Sequence, residues 1–181
     1  MGLVRQMERW KSTYQSRRRY VSELYRPLID ALQETKTSAV RPIESTGWAR
    51  VDRNVEKIGF ALETAQNEED FQAVALLCRE ALISLAQAVY KAEIHGSADG
   101  VIPSQTDAKR MLEAYIATEL AGQANEYVRK HTRAAVDLAV NLQHKRTATF
   151  GDAALCTEAT RSIINAVASL SGQRDPGERE S

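Results

Sequence analysis

The residues best suited to chemistry lie in a short polar segment at positions 141–147, where a predicted helix ends. The segment contains His144, Lys145 and Arg146, and Asn141 stands three residues before the histidine. A histidine can give or take a proton near neutral pH, and an arginine stays charged and can stabilise a developing negative charge. Asn141 shares a helix face with His144, because residues three apart are neighbours on a helix. Such a set could cleave RNA without a metal, with His144 assisting attack by a 2′-hydroxyl on the neighbouring phosphate and Arg146 stabilising the charged intermediate.

The same segment also has a structural interpretation. Basic residues are favoured in the last turn of a helix because they meet the negative end of its dipole. On that interpretation His144, Lys145 and Arg146 mark the end of a helix and need not bind anything. The sequence alone leaves both interpretations open.

Other kinds of site are not indicated. The chain has no glycine-rich phosphate loop, no serine-nucleophile elbow and no closely spaced His or Cys pair. We therefore expect no metal and no cofactor. His95 lies in a predicted loop and is expected at the surface, and His131 lies in a predicted helix and is expected to be half exposed. Arg79 and Glu80, in a predicted apolar helix, are expected to be a solvated pair.

The cysteines and the hydropathy of the chain indicate the cellular compartment of the protein. Cys78 and Cys156 both lie in apolar helical runs, which is typical of small core residues in a reducing compartment. No uninterrupted apolar run reaches about 18 residues, and the N-terminus lacks the apolar core of a signal peptide. These features predict a cytoplasmic protein with no membrane partner.

The composition predicts an all-α protein. The 181 residues are 43% hydrophobic, with only nine Gly and four Pro, and the apolar residues are rich in Ala and Leu. Apolar spacing of three and four predicts an antiparallel bundle of about five helices over residues 48–172. These helices are expected at about residues 48–65, 71–90, 107–122, 125–143 and 153–170. Thr149 and Asp152 resemble a capping box before the last helix, and residues 173–181 are predicted to be a disordered tail.

Residues 1–40 are predicted to form a separate basic amphipathic helical arm. The first 26 residues hold seven Lys or Arg and two acids, although the whole chain balances 24 basic against 24 acidic residues. A basic arm could contact RNA through Arg17, Arg18 and Arg19, with Lys145 as a further contact. It could equally pack on its own body or bind a partner protein.

Three segments of the chain, residues 69–82, 141–147 and 150–170, resemble the HEPN group of bacterial helical domains. Together with the helices between them they cover about residues 50–172. The group occurs in abortive-infection proteins, toxins and RNA-processing effectors. The resemblance implies a bundle of four or five helices that forms a homodimer. In active members the two subunits bring their polar motifs together into one metal-independent endoribonuclease site, whereas other members only dimerise or bind RNA.

The sequence departs from the hallmark of that group, which is an arginine four to six residues before the histidine. If His144 is that histidine, the arginine should stand at positions 137–139, and none of these is arginine. Arg146 on the other side of His144 is then the substitute, and Arg133 is a poorer one. Two hypotheses result. One is an RNA-cleaving effector or toxin in bacterial defence that uses His144, Arg146 and Asn141. The alternative is a non-catalytic helical module for dimerisation or for binding RNA or protein.

Overall fold

A computed structural model describes residues 18–20, 23–26, 45–97 and 100–173. The chain divides into two compact units, Met1–Pro42 and Ile43–Ser181. In the first unit the described residues are helical and exposed, and Arg19 Nε lies 3.0 Å from Glu23 Oε1, one helical turn away. Arg17 lies outside the described residues, as does the predicted tail from position 174 onwards.

The described part of the second unit is built from helices and contains no strand, as predicted for an all-α fold. A short 3-10 helix at Gln123–Asn125 precedes the fourth α-helix. The five α-helices are α1 (Ala49–Thr64), α2 (Glu68–Val89), α3 (Ala108–Glu119), α4 (Glu126–Gln143) and α5 (Phe150–Leu170).

Side-chain caps begin three of these helices. The predicted capping box is confirmed: Thr149 Oγ1 accepts from the Asp152 backbone N–H at 3.3 Å, and Asp152 Oδ2 accepts from the Thr149 N–H at 2.9 Å. Asn67 caps α2 by accepting from a backbone N–H of the first turn. The cap of α3 is Asp107, whose side chain accepts from the Arg110 backbone N–H at 3.1 Å. Asp107 stands directly before the first helical residue, so its carboxylate reaches the exposed N–H groups.

Helix α2 is the central helix, as its apolar character predicts, and it contacts the other four. Among the described helices α2 has the length and hydropathy that a membrane span needs, but 56% of that window is buried inside the bundle. Its hydropathy is therefore explained by its place in the core. Arg50 bonds Gln87 and Asn54 bonds Ser84, so α1 and α2 run antiparallel.

In helix α4 the buried face differs from the side that apolar spacing predicts, which carries Tyr127, Val128, Ala135, Leu138 and Leu142. Ala135 is buried, together with Thr132, Val136 and Ala139. Tyr127 and Leu138 are 84% and 43% exposed. The small side chains of Ala135 and Ala139 let α4 approach α5 closely, and the Cys156 thiol lies 3.7 Å from the Ala139 carbonyl oxygen. Close packing of α4 against α5 therefore buries the small side chains of Ala135 and Ala139 and leaves the larger Tyr127 and Leu138 exposed.

The prediction of a surface position for His95 was also wrong, because this residue is only 2% exposed. Its Nδ1 accepts from the Lys91 backbone N–H at 2.9 Å, so its Nε2 carries the proton that faces Glu119 Oε1 at 3.2 Å. The ring also meets Tyr115 edge to face at 5.1 Å. A turn folds His95 back onto the core, where both ring nitrogens have structural partners.

The two cysteines are buried and unbridged, as predicted. The pKa of the Cys156 thiol is raised by its hydrogen bond with Cys78 and by burial. Both thiols are core groups of the α2–α5 contact.

Candidate functional site

The residues of the predicted site lie where α4 ends and the loop to α5 begins. His144 caps the C-terminus of α4, and its backbone N–H donates to the Asn141 carbonyl at 3.2 Å. Its imidazole is exposed and has no hydrogen-bond or ion-pair partner among the described residues. The backbone thus ends the helix, as the structural interpretation holds, while the side chain takes no part in that role.

Lys145 is engaged with the next helix. Its Nζ lies 2.7 Å from Asp152 Oδ1, at the N-terminus of α5. The hydrogen bond from Lys145, followed by those from Thr149, lowers the pKa of Asp152 to about 2. Lys145 therefore links the loop to the capping box, and its predicted RNA contact is untested.

Arg146 and Asn141 differ in their surroundings. The Arg146 carbonyl accepts from Gln72 Nε2 at 2.7 Å, which ties the loop to α2, while its side chain is exposed without a partner in the described ranges. Asn141 is exposed on α4 and likewise has no side-chain partner there. Neither residue borders the cavity that His144 borders.

That cavity has a volume of about 310 Å³ and lies between the middle of α2, the start of α3 and the end of α4. Small-molecule sites range from about 300 to 1,000 Å³, so its size is at the lower end. Leu82, Ile83, Ala108 and Val140 form its apolar part. Its polar lining consists of Arg79, Ser104, Thr106, Asp107, Lys109, Gln143 and His144.

Arg79 was not predicted as a site residue. No ion pair joins it to Glu80 in the structure, and it has no hydrogen-bond partner among the described residues. The loop before α3 packs on α2 about two turns further on, where Gln87 Nε2 donates to the Gln105 carbonyl at 2.8 Å. The signal in the sequence is the charged pair of Arg79 and Glu80 in an otherwise apolar stretch. Only the packing of this loop shows that it borders a cavity.

The other charges of the cavity are neutralised locally. Lys109 Nζ lies 2.8 Å from Asp137 Oδ1, and this contact raises the pKa of Lys109. Asp107 caps α3 and lies 3.7 Å from Arg110 Nε. Within the described residues Arg79 is thus the cation of this lining that has no acidic partner.

Gln143 adds an unpartnered donor. Its Nε2 is buried and has no hydrogen-bond acceptor among the described residues. A buried amide donor without a partner costs about 1–3 kcal/mol. The cavity therefore holds an unpaired cation, an unpaired amide and an unpaired imidazole, which is a lining suited to an anion.

No protein-family model matches the chain, and no curated protein and no solved structure matches it.

Proposed function

We propose that the chain is a HEPN-like, metal-independent endoribonuclease of the effector or toxin type, acting in bacterial defence in the cytoplasm. The observation that carries the proposal is the unpartnered imidazole of His144, which borders a cavity whose lining suits an anion. An RNA backbone supplies such an anion at every phosphate. The function is argued from this cavity, since a helical bundle by itself hosts many functions.

The reaction needs one proton acceptor beside the phosphate. His144 takes the proton of the 2′-hydroxyl as that oxygen bonds to phosphorus, and the bond to the 5′-oxygen of the next nucleotide breaks. The products are a 2′,3′-cyclic phosphate and a 5′-hydroxyl, whose proton comes from water. The exposed side chains of Arg146 and Asn141 flank His144 along the chain and would contact the adjoining sugar–phosphate backbone.

The test is cleavage of a mixed RNA pool by the full chain in the presence of a chelator. His144→Ala should lower the rate at least about a hundredfold, which is the usual contribution of general acid–base catalysis. Helicity should not change, because the His144 side chain is exposed and makes no hydrogen bond or ion pair with the described residues.

Arg53→Ala is the control. Arg53 is exposed on α1 and lies outside both the cavity lining and helix α4. This variant should cleave at the wild-type rate. A His144→Ala protein that cleaves as fast as the wild type contradicts the mechanism.

A second candidate is the non-catalytic module of the same fold, and a row of exposed residues on α4 favours it. The row consists of Tyr127, His131, Ala134, Leu138 and Asn141, all exposed and spaced alternately by four and three residues. This spacing is the seam of a coiled coil. Leu155 on α5 is 54% exposed as well.

The row is complementary to a second copy of itself. Two antiparallel α4 helices, related by a two-fold axis midway between positions 131 and 134, would set Tyr127 of each copy against Leu138 of the other. A homodimer is therefore the assembly that we propose for this module.

Sedimentation of the full chain tests the module. A dimer that Leu138→Asp dissociates, in a protein that cleaves no RNA, would support the module over the enzyme. A monomeric wild type at micromolar concentration would contradict the proposed pairing. Glu158→Gln on α5 is a control, because its charge lies outside the α4 row.

A further inference from the structure

We propose that the cavity between α2, α3 and α4 is a phosphate-binding site in which Arg79 is the cation that holds the phosphate, and that Gln143 donates a further hydrogen bond. The proposal rests on the function proposed above and names the anion-binding residues of that site. It replaces Arg146, which the sequence suggested, with an arginine that lies 65 positions before His144 in the chain.

The surroundings of Arg79 point to a ligand. Its side chain borders the cavity from the rigid central helix, and its guanidinium has no acceptor among the described residues. A guanidinium presents several N–H donors in a planar fork that matches two phosphate oxygens. Because α2 is fixed by four other helices, Arg79 needs little reorganisation of the backbone to bind.

The alternatives within the same lining are less suitable. Lys109 is held by Asp137 at 2.8 Å and by Glu113 at 3.8 Å, so a phosphate would have to compete with two carboxylates. Arg146 is exposed, but it does not border the cavity. The carboxylate of Asp107 accepts from the Arg110 backbone N–H and lies 3.7 Å from Arg110 Nε, which limits its repulsion of an anion.

Gln143 and the apolar wall strengthen the site. The buried Nε2 of Gln143 lacks an acceptor, and a phosphate oxygen reached by a small turn of the side chain would supply one. Leu82, Ile83 and Val140 form the apolar part of the lining, whereas the Arg79 and His144 side chains are exposed and open to an incoming anion. His144 borders the same cavity, so a phosphate bound by Arg79 would lie next to the imidazole.

Binding and cleavage are measured separately to test this proposal. The binding probe is a labelled 2′-O-methyl RNA oligomer, which has no 2′-hydroxyl to attack, followed by fluorescence polarisation with the full chain. Arg79→Ala should weaken binding about tenfold or more, the value of a charge-assisted hydrogen bond. Arg79→Lys should recover only part of the affinity, since an ammonium lacks the fork.

The matched control is Arg53→Ala, which removes an exposed arginine of α1 that is outside the cavity lining. It should bind as the wild type does. Arg146→Ala should weaken binding less than Arg79→Ala. Equal binding by wild type and Arg79→Ala would overturn the proposal. Because Arg79 has no partner within the described fold, its loss should leave the unfolding midpoint unchanged.

A titration with inorganic phosphate distinguishes a site for the RNA backbone from a site for free phosphate or a small phosphate ester. In a titration followed by NMR, phosphate should shift the side-chain amide signal of Gln143 in the wild type and leave it unmoved in Arg79→Ala. A shift with phosphate, without binding of the oligomer, would assign the site to free phosphate or a small phosphate ester. No shift of the Gln143 signal with phosphate, together with equal oligomer binding by wild type and Arg79→Ala, would overturn the proposed phosphate site.

The outcomes also separate this proposal from the proposed function. Arg79-dependent binding in a protein that cleaves no RNA would keep the phosphate site and remove the ribonuclease. His144-dependent cleavage with binding that does not depend on Arg79 would keep the ribonuclease and remove this site.

Discussion

His144 is positioned by its backbone, and its imidazole is left without a structural task among the described residues. The helix ends through the bond from its N–H to the Asn141 carbonyl, which any residue could make. A histidine is therefore not required here for the end of α4. His95 shows the contrasting case, because both of its ring nitrogens are bonded and its side chain is buried.

The capping box of α5 makes a prediction about pH. The pKa of Asp152 is lowered to about 2, chiefly by the hydrogen bond from Lys145, whereas an unfolded aspartate has a pKa near 3.9. A lowered pKa in the folded state stabilises the protein above the unfolded value, and this contribution is lost as the pH falls from about 4 to about 2. In urea titrations Asp152→Asn should therefore destabilise the protein at pH 6 and much less at pH 2.

The free energy of unfolding must be measured at neutral and at acid pH for both wild type and Asp152→Asn, because other carboxylates also titrate in this range. The quantity that tests the prediction is the difference between wild type and Asp152→Asn. A difference that stays constant from pH 6 to pH 2 would show that the Lys145 contact does not act through the charge of Asp152.

At the scale of elements, the sequence predicted which helices form, but it did not predict which face of α4 is buried. The five helices and the capping box follow from apolar spacing and from the side chains that can bond free N–H groups. The face of α4 could not be predicted in this way. Large apolar residues favoured burial of Tyr127 and Leu138, but close contact with α5 required the small Ala135 and Ala139.

The cavity shows the same limit for the candidate site. His144 could be found from the sequence, because its residue type and its place at a helix end are both visible there. Arg79 could not, because its role depends on two loops packing beside α2: the loop before α3 and the start of the loop after α4. Arg79 and His144 are 65 positions apart in the sequence, and only the tertiary packing brings both to the same cavity.

The loop after α4 is tied to α2 by one side chain, which gives a prediction for this element. Gln72→Ala removes the bond to the Arg146 carbonyl, made at 2.7 Å. Hydrogen exchange at the backbone amides of residues 145–148 should become faster, while the free energy of unfolding should fall by only about 0.5–1.5 kcal/mol. Gln66→Ala, in the connection before α2, is a control that should leave this loop unchanged. Unaltered exchange in Gln72→Ala would show that the loop is held by other contacts.

At the scale of the whole molecule, the charge balance constrains how the proposed RNA contact would be made. The chain has 24 basic and 24 acidic residues, so it offers no strong overall positive field. Binding should then depend on a few local cations. For single strands the logarithm of affinity falls with that of salt concentration, with a slope of about −0.7 for each phosphate neutralised.

We therefore expect a shallow salt dependence for the full chain, with a slope of about −1.4 to −2.1, corresponding to two or three phosphates. Arg79→Ala should make the slope shallower by about 0.7, since it removes one phosphate contact. Polarisation titrations of the 2′-O-methyl oligomer at several salt concentrations measure both slopes. A steep slope that Arg79→Ala leaves unchanged would mean that a larger basic surface elsewhere in the chain holds the RNA.

The most direct test of the central claim is the chemical nature of the ends that the full chain leaves on RNA in chelator. Matched RNA and 2′-O-methyl pools are incubated with wild type and His144→Ala, and the products are analysed by mass spectrometry. The account predicts 2′,3′-cyclic phosphate and 5′-hydroxyl ends from the RNA pool with the wild type alone, and an intact 2′-O-methyl pool. Cleavage of the 2′-O-methyl pool, equal cleavage by His144→Ala, or an RNA pool left intact by the wild type would contradict it.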